Sequence, residues 1–492
     1  MNSAARALWF PSALAGLFLL AHLPYLHLPY FWDELGQFVP ASLDILRDGA
    51  WIPHSTTPNS HPPEVMAYLA LVWRAFGYSI AATRIAMLAL AGLALVCTFA
   101  LGQDLLSNDL LGAFAPAAIA TLFLALDPIF YTQGMMAQLD MPAMLFTILA
   151  LFLFLRDCHA AAAIACTALV LAKETGAIVP LIFGVILLLD PGRSKYARYY
   201  LAPFVALGIW FFALWRTTGH LFGDPGYTRY NIWYSLNPIR ASLTLLRRLY
   251  YLFIDDFRWV GALAILVTWR RHDLYRTRAW KIVWTIIAAH VLLVSLLGGA
   301  GLERYLLPLL PLVYIAMAAA FAALTPAKRA IGVSAMAAGL IAGSFLNPPF
   351  PMPYENNLAM ADFVELHRDA AQFLERAYPA GTIYTAWPLT QALRDPVFGY
   401  VDRKLASHET SDLNYSTLNA INPASVNVLV LYSRTWAPPW GVLQWAFVRN
   451  FLHRFYEYER PMTSADVRAH FGLVPVHRWT QRGQWIEVYA RQ

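Results

Sequence analysis

The sequence predicts an all-α polytopic membrane domain of about eleven spanning helices, with amphipathic surface helices in its first outer loop, followed by a small soluble mixed α/β domain. Three observations carry this expectation. The chain is 59% hydrophobic and only 13% charged, against about 45–50% and about 25% in soluble domains. Apolar runs close to the roughly 20 residues a helix needs to cross hydrocarbon recur up to residue 346. Beyond that point "NPPFPMPYENN" breaks the pattern and the composition turns soluble. The expected domains are therefore residues 1–346 and 347–492.

The N-terminal run is long enough to span and is read as an uncleaved first helix rather than a signal peptide. The expected spans are 8–28, 79–101, 111–131, 141–156, 158–174, 176–190, 199–217, 250–269, 281–298, 304–324 and 329–346. With the N-terminus inside, the inner loops collect Arg156; Arg193, Lys195 and Arg198; Arg270, Arg271, Arg276, Arg278 and Lys281; and Lys328 with Arg329. That is the positive-inside bias. The loop at Gln103–Asp109 carries no base and adds no support. The outer side receives 29–78, 132–140, 218–249, 298–303 and everything after about 347.

The first outer loop has helical spacing of its own. Leu35, Phe38, Val39, Ser42 and Leu46 share a face that Gly49 ends, although Pro40 requires a kink or a later start. Val65, Leu69, Val72, Trp73 and Phe76 form a second such face after a Pro-Pro start, and both helices are expected on the membrane surface. Past residue 347, residues 357–376 predict an amphipathic helix, and "TIYTAW", "VNVLVLY" and "WIEVYA" predict strands.

The net charge of +6 is distributed over loops that flank apolar spans and is no nucleic-acid signal. Cys97, Cys158 and Cys166 lie in or beside apolar segments, with neither a disulfide framework nor a zinc spacing.

Several polar groups gather in the outer loops. Asp33 and Glu34 open the first surface helix, where the helix N-terminus favours carboxylates. "HPPE" places His61 and Glu64 at the start of the second. Asp140 opens a span, Lys173-Glu174 ends one, and Arg304-Tyr305 begins a late one. Each has a plain structural reading as well: a helix cap, an internal ion pair, an interfacial anchor.

Taken in order, these motifs resemble the lipid-dependent GT-C glycosyltransferases, and within them the branch of protein O-mannosyltransferases and lipid A aminoarabinose transferases. The resemblance rests on "FWDE", on "HPPE" about 28 residues after the acids, on "MMAQLDMPAMLF", "LAKETGA" and "ERYLLPLLPLVY". It covers residues 8–346 and is loose afterwards. It implies a sugar donor carried on a polyprenyl phosphate, and an acceptor hydroxyl on an envelope glycan, lipid or protein. Asp33 would be the general base and Glu34 would orient it. Arg304 would stabilise the leaving phosphate, with Tyr305, Lys173, His61, Glu64 and Asp140 as further substrate-binding residues. Attack in line would invert the anomeric centre.

The aminoarabinose transferases carry Lys before the Pro-Pro pair where this chain carries His61, which tilts the resemblance away from the lipid A enzyme. No nucleotide loop is found, and none is needed for such a donor. His54, His61, Glu64 and Asp33 are ligand types that a divalent metal ion accepts, but their spacing does not demand one. Sparse cysteine and compact loops point to a bacterial inner membrane, with the site and the C-terminal domain facing the periplasm. The competing readings are a transporter or flippase of a lipid-linked sugar and an inactive scaffold protein. The first is disfavoured by the lack of a repeat and by polar residues gathered at one face.

Overall fold

Continuous apolar sequence without internal polar partners favours the helix, which satisfies every backbone group within its own segment. The computed structural model describes residues 8–106, 114–269, 275–438, 441, 443 and 445–491. Arg270, Arg271 and the beginning of the span expected at 111–131 lie outside the described residues. The chain forms two compact units: Met1–Pro24 with Phe38–Ser344, and Tyr25–Gln37 with Phe345–Gln492. Thus a short segment of the first expected outer loop belongs to the second unit.

The first unit is helical. Among the described residues, four helices are long and apolar enough to cross a membrane by length and composition: Ile80–Leu106, Ser194–Thr218, Arg278–Leu296 and Glu303–Ala322. Five shorter apolar helices are Trp9–Ala21, Ala115–Leu126, Asp140–Leu155, His159–Ala172 and Glu174–Leu188. At 1.5 Å per residue, a 13-residue helix such as Trp9–Ala21 reaches only roughly 20 Å.

The two helices expected in the first outer loop form. Pro40 sits in the first turn of Val39–Asp48, where its missing N–H costs nothing, and Gly49 ends the helix at φ 69°. The second helix runs Glu64–Phe76, directly after Pro63 and before Gly77. Val65 and Met66 pack with Phe38, Ala41, Leu139 and Ala172.

The segment expected to span at 250–269 is broken. Residues 250–269 are not one helix: Pro238–Phe253 stops, Asp255–Phe257 makes a 3₁₀ turn, and Arg258–Trp269 follows. Asp256 and Phe257 both take positive φ, at 47° and 62°. The break accompanies a buried ion network. Arg258 donates to Asp127 at 2.5 Å, to Glu303 at 3.3 Å and to the Tyr251 carbonyl at 2.7 Å. Its Nε donates to Tyr314 at 2.9 Å, and the Tyr314 hydroxyl also bonds Asp127. Asp127 in turn caps the helix Pro128–Gln133, accepting from the backbone of Ile129 and Phe130. Four segments distant in sequence are thereby locked together.

The second unit holds a five-stranded sheet: β1 Ile383–Ala386, β2 Ser407–Thr410, β3 Val428–Tyr432, β4 Val474–Gln481 and β5 Gln484–Ala490, in the order β2-β1-β3-β5-β4. The β1 strand pairs parallel with β2 and β3, and β5 pairs antiparallel with β3 and β4. The three expected strands are β1, β3 and β5. Burial explains why: β1 and β3 are buried throughout, whereas β2 and β4 are sheet edges with mostly exposed side chains. The β4–β5 hairpin turns on Arg482 and Gly483, both at positive φ, the signature of a two-residue turn that follows strand twist. The expected amphipathic helix runs Ala359–Ala377, and Gln484 Nε2 ties it to β5 through the Ala359 carbonyl at 2.7 Å.

Removing one partner of a buried ion network strands the other charges, which costs about 3–5 kcal/mol. Arg258→Leu is therefore expected to lower the thermal unfolding midpoint in detergent sharply, whereas Arg278→Leu, whose side chain is half exposed, leaves it nearly unchanged.

Candidate functional site

In the first unit the polar groups singled out by sequence converge where helices stop. The helix His159–Ala172 ends at Lys173, which is extended (φ −154°, ψ 125°), and a 3₁₀ turn Glu174–Ala177 follows. The turn needs Gly176: a Cβ there would lie 2.5 Å from Leu169 Cγ. Breaking the helix sends two neighbouring side chains to different partners, Lys173 to Asp140 and Glu174 to His61.

Asp140 opens the helix Asp140–Leu155, where the aligned peptide dipoles favour a carboxylate. Its Oδ1 is 2.5 Å from Lys173 Nζ and its Oδ2 is 3.5 Å from Arg304 Nε, with all three side chains buried. Arg304 also donates to the side-chain oxygen of Gln138.

Tyr305 is the centre of the arrangement. Lys173 Nζ lies 4.3 Å from its ring centroid, the Arg248 guanidinium 5.2 Å and the Arg304 guanidinium 5.8 Å. Its backbone carbonyl faces His290 Nε2 at 2.9 Å. Gly298, at φ 99°, leaves space for the ring, since a Cβ would come 2.8 Å from Tyr305 Cε2. Three cations around one half-exposed phenol, with one carboxylate bridging two of them, make a site suited to an anion.

Arg248 is a member of this group that sequence reading missed. It is wholly buried on the helix Pro238–Phe253 and donates to the Leu302 and Val294 carbonyls. Burial pushes its guanidinium down to about 10, with Tyr305 as the leading opposing influence, so it remains charged at neutral pH. No local signal marks it: within its amphipathic helix it reads as one more surface base beside Arg247.

His61 bridges rather than stands free. Its Nδ1 lies 2.9 Å from Glu174 Oε2 and its Nε2 lies 2.8 Å from the Tyr227 hydroxyl, while Ser60 Oγ donates to Glu174 at 3.3 Å. Tyr227 belongs to the segment 218–249, which is thereby pinned to the turn bearing Lys173. Glu64 lies apart from these partners: its Oε2 is buried without a hydrogen bond among the described residues. Burial alone pushes its carboxyl up to about 7.

Asp33 and Glu34 lie in the second unit. Glu34 is fully buried and accepts from the Phe31 backbone N–H at 2.8 Å, capping its own turn. The residue before Asp33, Trp32, takes φ 46°, a strained setting for a bulky side chain. Its surroundings hold it there. Trp32 meets Trp387 edge-on at 4.8 Å and Phe363 at 5.9 Å, and the Arg434 guanidinium lies 5.6 Å from its ring centroid. Tyr400 donates to the Tyr30 carbonyl at 2.7 Å. Gly36 lies against Trp387, where a Cβ would be 2.8 Å from the indole nitrogen.

The possible metal ligands pair otherwise than as one set. His54 Nε2 is 3.0 Å from Asp48 and 3.6 Å from Asp44, while His61 is engaged by Glu174 and Tyr227. Among the described residues, two groups have ligand atoms close enough to share an ion: Asp44, Asp48 and His54, and Asp255, Asp256 and Glu303. In the first, Asp44 is already used to close its loop, accepting from His54 N, Ser55 N and Ser55 Oγ at 2.9 Å each. In the second, Arg258 supplies a compensating charge.

No protein-family model matches the sequence, and no curated protein matches it. Solved structures match in fold. ArnT from Cupriavidus metallidurans bound to undecaprenyl phosphate aligns with 97% of this chain and 97% of its own, at a TM-score of 0.56 and 12% identity. The apo state of ArnT from the same organism aligns with 96% and 97%, at 0.53 and 13%. The oligosaccharyltransferase of Archaeoglobus fulgidus in its apo form aligns with 87% of this chain and 69% of its own, at 0.51 and 10%. At such identities the likeness is one of fold; ArnT and the archaeal oligosaccharyltransferase are both GT-C glycosyltransferases.

Glu64 yields a pH prediction. The native carboxyl keeps its proton to about pH 7, whereas the free side chain releases it near 4.5. The folded state thus binds the extra proton, and stability falls as pH rises through that window. Glu64→Gln is expected to raise stability at pH 8 by roughly 1–3 kcal/mol and to change little near pH 4.5, as read by thermal unfolding at both values.

Proposed function

We propose that this chain is an integral-membrane glycosyltransferase that moves a sugar from a polyprenyl-phosphate donor to a hydroxyl of an envelope glycan, lipid or protein. The observation that carries the reading is the convergence of Lys173, Arg248 and Arg304 on Tyr305, buried cations arranged for an anionic group. It is supported by the fold likeness to ArnT, which was solved with undecaprenyl phosphate bound. In this reading about eleven helices span a bacterial inner membrane, residues 1–346 form the catalytic domain, and residues 347–492 face the periplasm.

The chemistry follows from where charge moves. The acceptor oxygen attacks the anomeric carbon while Asp33 takes its proton, and Glu34 fixes the turn on which Asp33 sits. The bond from anomeric carbon to phosphate oxygen breaks, and its electron pair leaves on the lipid phosphate. One in-line displacement inverts the anomeric centre. The phosphate is a stable anion and needs no general acid. It needs positive charge already in position, because dipoles and cations that do not reorganise stabilise a developing anion best. Arg304 can grip phosphate with two parallel N–H donors. Lys173 and Arg248 add charge, and Tyr305 can donate a hydrogen bond. Asp140 holds Lys173 and Arg304 in register. His61 steadies Glu174, hence the turn that presents Lys173.

Purified protein would be offered a panel of polyprenyl-phosphate sugars with crude envelope acceptors. Wild type is expected to consume one donor, and Asp33→Asn to lose roughly 10²–10⁴-fold in turnover. Equal consumption by wild type and variant removes Asp33 from the role of base. Arg304→Lys keeps the charge but loses the planar fork, and is expected to cost on the order of 10²-fold. An unchanged rate would place the phosphate elsewhere.

A further inference from the structure

The helix Ala446–Tyr456 of the second unit has eleven residues, none of them buried. Large apolar side chains nonetheless crowd it. Phe447 is 69% exposed, Phe451 37%, and the preceding Trp445 55%. Their rings contact one another, Trp445 with Phe447 at 5.6 Å and Phe451 with Phe455 at 4.8 Å. At roughly 100° per residue, Phe447, Phe451, Phe455, Val448 and Leu452 fall within one arc of about 140°. Arg449, Asn450, His453 and Arg454 occupy the remainder, with Arg449 and Arg454 at the two borders of the apolar arc. The helix contains no acidic residue. A helix that served the core of its own domain would bury such a face, as Ala359–Ala377 does. An isolated helix of this length is marginal in water, so a surface must support it.

We propose that Ala446–Tyr456 seats on the surface of an anionic lipid bilayer, with its aromatic face in the interfacial region and Arg449 and Arg454 reaching the headgroups. Two observations favour lipid over another occupant. Among the described residues four helices are long and apolar enough to cross a membrane, so a bilayer is the surface that this sequence is built to meet. Aromatic rings on one face with cationic side chains along both its borders match the headgroup boundary, where rings meet acyl chains and basic side chains snorkel to phosphate. The proposal concerns lipid contact by the second unit and does not depend on which reaction the protein catalyses.

The test uses full-length protein in nanodiscs. A background with Cys97→Ala, Cys158→Ser and Cys166→Ala receives a nitroxide at Phe451→Cys or, separately, at Asn450→Cys. Power saturation compares collisions with oxygen, which concentrates in lipid, and with a water-soluble nickel chelate. In phosphatidylglycerol-containing discs, position 451 is expected to be oxygen-accessible and shielded from nickel, with the reverse at 450. That contrast is expected to shrink in phosphatidylcholine discs and in Arg449→Glu/Arg454→Glu. Equal nickel access at both positions would mean the helix stays in water and would overturn the proposal. Shielding of 451 from both reagents would mean that protein covers the face, a second copy or another partner, and would overturn it equally. A contrast insensitive to lipid charge and to the two arginine substitutions would overturn the anionic assignment. Sugar transfer can be followed in the same discs, so failure here is distinguishable from failure of the catalytic reading.

Discussion

The first unit is organised around one buried carboxylate. Asp140 touches Lys173 at 2.5 Å and Arg304 at 3.5 Å, from three different segments of chain. Burying a charge is tolerable only when it is paired and hydrogen-bonded. Asp140 therefore determines where two cations can rest, from the N-terminus of a helix. With those cations fixed, Tyr305 is held between them, and Arg248 completes the set from a fourth segment. Everything proposed about an anionic ligand depends on this single pairing.

Neighbouring residues repeatedly serve different networks, and that division lets many charges coexist in a dry interior. Lys173 goes to Asp140 while Glu174 goes to His61. Glu303 goes to Arg258 while Arg304 goes to Asp140 and Gln138. The first division falls where extended Lys173 meets a 3₁₀ turn and the second inside a 3₁₀ turn, and both send successive side chains in directions an α-helix would not. Two networks result: Asp127–Arg258–Tyr314–Glu303 ties helices together, and Asp140 gathers Lys173 and Arg304 beside Tyr305. The Glu174–His61–Tyr227 chain then attaches the segment containing Tyr227 to the functional turn.

The second unit solves a different problem, holding Asp33 on a strained turn. Trp32 at φ 46° is kept in place by aromatic contacts with Trp387 and Phe363, and Tyr400 anchors the backbone at Tyr30. Strain of this kind persists only where packing over-determines it. The sheet and the helix Ala359–Ala377 supply that packing, which gives the second unit a structural reason to exist.

Periodic and compositional features were legible in the sequence because they are local. Helices Glu64–Phe76 and Ala359–Ala377 and strands β1, β3 and β5 each announce themselves within a short window of apolar spacing. So were Asp140, Lys173, Arg304 and Tyr305 as candidates, since ionisable residues beside apolar spans stand out. What no local window contains is partnership. Lys173 and Asp140 are separated by 33 positions, Tyr227 and His61 by 166, and Tyr314 and Asp127 by 187. Arg248 looks like any surface base until its helix is packed. The break at Asp255–Phe257 looks like the middle of a span until Arg258 finds Asp127. Edge strands β2 and β4 lack an apolar signature because their side chains face solvent. The sequence by itself determined which segments are greasy, which are amphipathic and which charges are out of place. Only the tertiary structure decided which of those charges meet, because a buried charge is paired by whatever residue the fold brings within reach, at any distance along the chain.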